Sequence, residues 1–200
     1  MNIEIDNITK SYGNRIILND ISLKLEQGTC TGIMGSNGCG KTTLLSIIAG
    51  VMKCKGMRVT NGITIGLVPQ TNPLIEGLSV YDNMLLWSND KRIIERTLQE
   101  YDFSDIRKRK VKKLSGGMKR RLSVTCAMMG EPDLLIMDEP TSALDMEYKN
   151  LIHKSMSEYV KRGGILLIAT HSTEEAAICD HLYRLQDGYL REITIEDCNR

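Results

Sequence analysis

Isoleucines at positions 3, 5 and 8 fall between polar residues, and Ile17, Ile21, Leu23 and Leu25 follow. A period of two with one apolar side reads as antiparallel strands with one wet face, and Tyr12-Gly13 followed by Asn14 supplies the turn between them. Residues 29–34 read as a short buried strand. A glycine-rich stretch, 35–40, follows, and then a helical pattern from Lys41 to about Ala49, with Gly50 as its stop. Asn61-Gly62 predicts a hairpin turn ahead of a strand over 63–68, which Pro69 ends.

Further on, Ser79 opens a helix, with Asp82 three residues later as capping-box partner. Residues 79–129 are mostly helical in pattern, with polar breaks near Ser104 and Ser115, and read as a helical insertion between two halves of a parallel sheet. Buried strands then alternate with helices: strands over 133–138 and 164–170, a helix over 146–160, and a helix capped by Ser172 with Glu175. Short strands at 181–185 and 189–195 flank an Asp187-Gly188 turn. This alternation predicts an α/β fold with a mainly parallel sheet.

The 200 residues suit one domain, and 42% hydrophobic with 26% charged residues can bury a core. Twenty-six basic against 25 acidic residues leave a net charge of +1, without the basic excess of a general nucleic-acid binder. No apolar run reaches the roughly 18 residues that cross a bilayer, and residues 1–10 show no signal-peptide core. Any membrane role is therefore expected to come through a partner. The six cysteines, 30, 39, 54, 126, 179 and 198, show no CxxC pair and no metal-ligand spacing with the histidines, so reduced thiols are expected.

Gly35-Ser36-Asn37-Gly38-Cys39-Gly40-Lys41-Thr42 fits G-x-x-x-x-G-K-[ST] at every fixed position. Such a loop turns successive backbone N–H groups inward, and the helix behind it aims its positive end at the same anion. Lys41 adds charge for the β- and γ-phosphates, and the Thr42 hydroxyl suits Mg²⁺. The apolar run 134–137 ends in Asp138, placed by the parallel sheet near the metal, and Glu139 suits a general base.

Leu114-Ser115-Gly116-Gly117-Met118 resembles the signature motif of the ATP-binding-cassette (ABC) family. Gln70 resembles its Q-loop glutamine, Ser142-Ala143-Leu144-Asp145 its D-loop, His171 its switch histidine and Tyr12 its adenine-stacking aromatic. The motifs stand in family order from Tyr12 to His171. The resemblance implies a P-loop NTPase of ABC ATPase type: one domain over 1–200, with an N-terminal antiparallel β-subdomain and core over about 1–70 and 130–200, and an inserted α-helical subdomain over about 71–129. It implies ATP and Mg²⁺ as ligands. Catalytic roles fall to Glu139, His171, Gln70 and Lys41. Nucleotide contacts fall to Tyr12, Gly35, Ser36, Asn37, Gly38, Cys39, Gly40, Lys41, Thr42 and Thr43. Ser115, Gly116 and Gly117 would contact ATP held by a second ATPase subunit, a copy of this chain or a related one, and Asp145 would communicate across that dimer. Thr42, Gln70 and Asp138 would serve the metal.

The resemblance further implies a separate integral-membrane permease as partner, no nucleic acid, and a cytoplasmic location on the inner face of the cell membrane. The segments 114–122 and 172–180 resemble compact ATPases of ABC-2-type exporters, implying export. The alternative is a soluble ABC ATPase, such as one for cluster assembly. A small-molecule kinase does not account for residues 114–118. Met118 departs from the family's usual Gln. Cys39 is either a small filler or a redox-sensitive thiol. The run Arg107-Lys108-Arg109-Lys110-Val111-Lys112-Lys113 can face acidic lipids, an acidic partner loop or plain solvent. With 28 residues between Lys41 and Gln70 and 43 between Gln70 and Leu114, both gaps look trimmed for the family, and no C-terminal regulatory extension is expected.

Overall fold

The computed structural model describes residues 2–58, 62–142 and 144–199. The alternating N-terminal residues form β1 (Asn2–Tyr12) and β2 (Arg15–Glu26), antiparallel, with Ile3 opposite Leu25 and Ile5 opposite Leu23. Ile3, Ile5, Ile8, Ile21, Leu23 and Leu25 are buried on one side while Glu4 and Lys24 stay exposed, as the alternation predicts; around position 17 the phase differs, with Leu18 buried, Ile17 partly buried and Ile16 exposed. β3 (Cys30–Met34) is buried throughout and leads through the glycine loop into α1 (Lys41–Ile48).

β4 (Lys55–Arg58) and β5 (Ile65–Val68) follow. The hairpin expected at Asn61-Gly62 does not join them. β4 pairs with β1 in a three-stranded sheet ordered β2-β1-β4, whereas β5 pairs in parallel with a later strand in another sheet. Asn61 itself lies outside the described residues. The dipeptide preference was outweighed because β5 is an apolar strand with a buried parallel neighbour available.

The middle block holds α2 (Val80–Leu85), α3 (Lys91–Glu100) and α4 (Gly116–Met128). The Ser79–Asp82 capping box is present on α2, a device worth about 1 kcal/mol. A break the periodicity did not show separates α2 from α3, where Asp90 caps the second helix through the Arg92 N–H. Val80, Met84, Ile94, Leu98, Phe103, Val111, Leu114 and Leu122 pack as an apolar cluster of their own.

Beyond the block come β6 (Leu134–Asp138), α5 (Met146–Lys161), β7 (Ile165–Thr170), the four-residue α6 (Thr173–Ala176), β8 (His181–Gln186) and β9 (Tyr189–Ile193). They complete a six-stranded sheet ordered β5-β6-β7-β3-β8-β9, parallel except for the final β8–β9 hairpin at Asp187-Gly188. Its central strands are buried on both faces, between α1 with the antiparallel sheet and α4 with α5. The helical block enters between β5 and β6, which are hydrogen-bonded neighbours, so it lies outside the sheet rather than dividing it.

Candidate functional site

β3, β6 and β7 lie side by side, and at their carboxyl ends stand the glycine loop, Asp138-Glu139 and His171. Such strand ends are where open parallel sheets hold ligands. The loop is possible only with glycine at its tight points. Gly40 sits at φ +114°, where a Cβ would meet Ile17 Cγ2 at 2.8 Å, and a Cβ on Gly35 would meet the Leu185 carbonyl oxygen at 2.6 Å. Lys41 is buried, and its ammonium donates to the carbonyls of Gly35 at 2.7 Å and Ser36 at 3.1 Å. It is therefore held across the mouth of the loop rather than free in solvent.

The next residue reaches the neighbouring strand end. Thr42 Oγ1 donates to Asp138 Oδ2 at 2.6 Å. Burial raises the Asp138 carboxyl above its ordinary value, and Glu139's charge adds to this; the Thr42 hydroxyl, Lys41 and Arg120 act against it. Glu139 adopts the left-handed conformation, φ +50°, a strain of about 1–3 kcal/mol for a non-glycine residue. Its amide donates to the Ala169 carbonyl at 2.9 Å, and Oε1 lies 3.2 Å from His171 Nδ1.

Lys41, Thr42, Asp138 and Glu139 share a cleft of about 490 Å³ with Tyr12, Thr43 and Gln70, whereas His171 lines the adjoining cavity on the other side of the glycine loop, with Ser36 and Cys39. Tyr12 stands half-exposed at the rim of the cleft, its hydroxyl donating to Met52 Sδ at 3.2 Å and the Lys10 ammonium 5.5 Å from its ring centre. The cleft has a basic, N–H-rich end, an aromatic rim and two carboxylates. A polyanion with a flat base fits that arrangement. The Thr42 hydroxyl beside a carboxylate is an oxygen pair of the kind Mg²⁺ takes while keeping several waters.

Ser115, Gly116 and Gly117 do not line this cleft. They form the start of α4, Ser115 and Gly116 exposed and Gly117 half-buried, and Ser115 Oγ accepts from the Met118 N–H at 3.2 Å. Asp145 caps α5 by accepting from the Tyr148 N–H at 3.0 Å; Ala143, beside it in the D-loop-like run, lies outside the described residues. Cys39 is partly buried against the loop, and all six cysteines are free thiols. In the basic run, Arg107 pairs with Glu95 and stacks over Tyr81, while Lys108, Arg109, Lys110, Lys112 and Lys113 are exposed.

Two residues brace the site: Arg120, which the sequence did not single out, and Glu175, expected only as a helix-capping partner. Arg120, on α4, is buried and bonds to the carbonyls of Pro69, Asp138, Glu139 and Pro140. Glu175, on α6, is buried and accepts from both the amide, at 3.2 Å, and the hydroxyl, at 2.6 Å, of Thr141. Both sit in helices among residues of their own charge, Lys119 and Arg121 or Glu174, so only tertiary contacts separate them from surface positions.

A family model described as ABC transporter matches residues 18–142. The chain belongs to the ABC transporter family. The Nod factor export ATP-binding protein I of Cupriavidus pinatubonensis is 33% identical over 207 residues, covering 93% of this chain and 64% of that protein. Its namesake in Bradyrhizobium diazoefficiens is 32% identical over 209 residues, covering 94% of this chain and 68% of that protein. The chain thus spans about two thirds of the length of these curated relatives. A solved ATP-binding subunit of an ABC transporter superposes with a TM-score of 0.90 at 25% identity, covering 98% of this chain and 91% of that one. A dimeric ATP-binding cassette in a post-hydrolysis state with ADP and Pi gives 0.87 at 24% identity, covering 96% and 98%, and bears on the fold alone. The ABC fold expected from the motifs is thereby borne out. Among the described residues no helix is long and apolar enough to cross a membrane.

Proposed function

We propose that this chain is the ATP-binding and ATP-hydrolysing subunit of an ABC exporter, acting as a dimer beneath a separate membrane permease. The observation that carries this is the meeting of Lys41, Thr42, Gln70, Asp138 and Glu139 in one cleft with Tyr12 at its rim. The base of ATP stacks on Tyr12, and its phosphates lie in the loop 35–40 and take the Lys41 ammonium from the Gly35 and Ser36 carbonyls. Thr42, Asp138 and Gln70 would hold Mg²⁺, which when bound neutralises phosphate charge. Glu139 accepts a proton from the attacking water as the bond from the γ-phosphorus to the ADP oxygen breaks. His171, beside Glu139, orients that carboxylate and faces the γ-phosphate.

The chain is one ABC ATPase domain, its core over about 1–70 and 130–200 and a helical subdomain over about 71–129. The separate apolar cluster of the middle block supports that division. Ser115 and Gly116, exposed, and the half-buried Gly117 lie outside the lining of the chain's own cleft and suit contact with ATP held by a second subunit. Export is supported by the relatives, which are named for Nod factor export. The chain would then work on the inner face of the membrane, held there by its permease.

The test is the mass in solution of a Glu139→Gln variant, by light scattering, with and without Mg-ATP. An ATP-dependent shift from monomer to dimer is expected. A variant that binds ATP and stays monomeric would overturn the composite site formed by this chain alone.

A further inference from the structure

Arg120 is 3% exposed, yet among the described residues it forms no salt bridge. Burial lowers its basicity from the ordinary guanidinium value. A buried arginine ordinarily faces a carboxylate. Here the whole fork is spent on main-chain carbonyls of two turns. Nε donates to Pro140 at 3.2 Å, one terminal nitrogen to Pro69 at 2.5 Å, and the other to Glu139 at 2.8 Å and to Asp138. Pro69 precedes Gln70, and Asp138 to Pro140 surround Glu139.

The strained residue of the site is the one most tightly held. Glu139, in its left-handed conformation, is fixed at its amide by the Ala169 carbonyl and at its own carbonyl by Arg120. Such a conformation persists only where the surroundings over-determine it. Arg120 also stands five residues, about 7.5 Å of helix, from Ser115, the N-cap of the same α4. Any tilt of the α4 start is thereby applied, through one planar side chain, to the Gln70 and Glu139 turns together.

We propose that Arg120 is a positioning residue for hydrolysis, which sets the backbone carrying Glu139 and Gln70 and ties both to the helix that begins at Ser115. The inference rests on the roles given above to Glu139 and Gln70. It sets Arg120 apart from the neighbouring Arg121, whose guanidinium lies over the Phe103 and Tyr148 rings at 4.4 and 4.1 Å, with Nε and one terminal nitrogen making no hydrogen bond among the described residues.

The test compares Arg120→Gln and Arg120→Lys with the parent chain by Mg-ATP affinity, turnover and amide hydrogen exchange. For Arg120→Gln, affinity should stay within about twofold while kcat falls by roughly tenfold or more, since the phosphate loop is untouched and only the transition-state geometry is lost. Exchange should quicken at residues 69–71 and 138–142 and stay unchanged at 36–42. Arg120→Lys, which keeps the charge but not the fork, should fall between the two. Two results would overturn the proposal: turnover within about threefold of the parent, or parallel losses of affinity, turnover and protection across the whole chain, which mark a merely structural role. Should Arg120→Gln fail to fold, Arg120→Lys is judged by the same criteria. A parent chain that binds ATP without hydrolysing it would overturn the hydrolytic reading itself, and this one with it.

Discussion

Thr42 Oγ1 and Asp138 Oδ2 lie 2.6 Å apart, joining the start of α1 to the end of β6. The bond places two hard oxygens together at the glycine-loop end of the cleft. Thr42→Ala should raise the Mg²⁺ concentration needed for half-maximal ATPase activity by roughly tenfold or more, the loss expected for a hydrogen bond to a charged group. Thr42→Ser keeps the hydroxyl and should stay near the parent. A magnesium titration of the ATPase rate separates the two.

The Thr141–Glu175 contact makes a stability prediction. The carboxylate accepts two bonds in a buried setting, so Glu175→Ala leaves the Thr141 amide and hydroxyl unsatisfied. The expected loss is about 2–4 kcal/mol in urea unfolding. Glu175→Gln retains a carbonyl acceptor and should lose roughly half as much.

At the rim of the cleft, Tyr12→Ala should weaken ATP binding by about 5- to 100-fold, the range of base–aromatic stacking. Tyr12→Phe keeps the ring and loses only the hydroxyl contact to Met52. Fluorescent-nucleotide titration should therefore place it within about twofold of the parent.

The phosphate end was legible in the sequence because its chemistry is local. Residues 35–42 carry their geometry in consecutive glycines, and Asp138 in an apolar run that ends on a carboxylate. Ser79, Asp82 and Ser172 were legible as caps for the same reason: a cap acts within one helical turn. The Glu175 carboxylate, expected to share in the second cap, bonds Thr141 instead. Arg120 was not, because its four acceptors lie 18 to 51 residues away and nothing in the run Lys119-Arg120-Arg121 distinguishes one basic residue from the next. The failed hairpin at Asn61-Gly62 has the opposite cause. A strong local turn preference met two strands whose better partners, β1 and β6, were distant in sequence.

Burial pushes the Cys126 thiol up to about 12, above its unfolded value of about 8.5. The sign follows: a group raised on folding gives its full stability below the unfolded value and loses it as pH climbs toward the folded one. Unfolding free energy should therefore drop above about pH 8.5 by up to ~1.4 kcal/mol per pH unit from this group alone. Cys126→Ala removes that contribution, so the alkaline slope of variant minus parent, measured by urea unfolding from pH 8 to 10, should be positive.

The register of β5 against β6, Ile65 beside Leu134 through Val68 beside Met137, makes residues 69–133 a single excursion from two adjacent strands. To the sheet, everything between is a loop whose ends are already fastened. The helices 80–85 and 91–100 can then be rewritten while the strand ends keep their spacing. The frame is fastened on its own, and the block hung from it is free to vary.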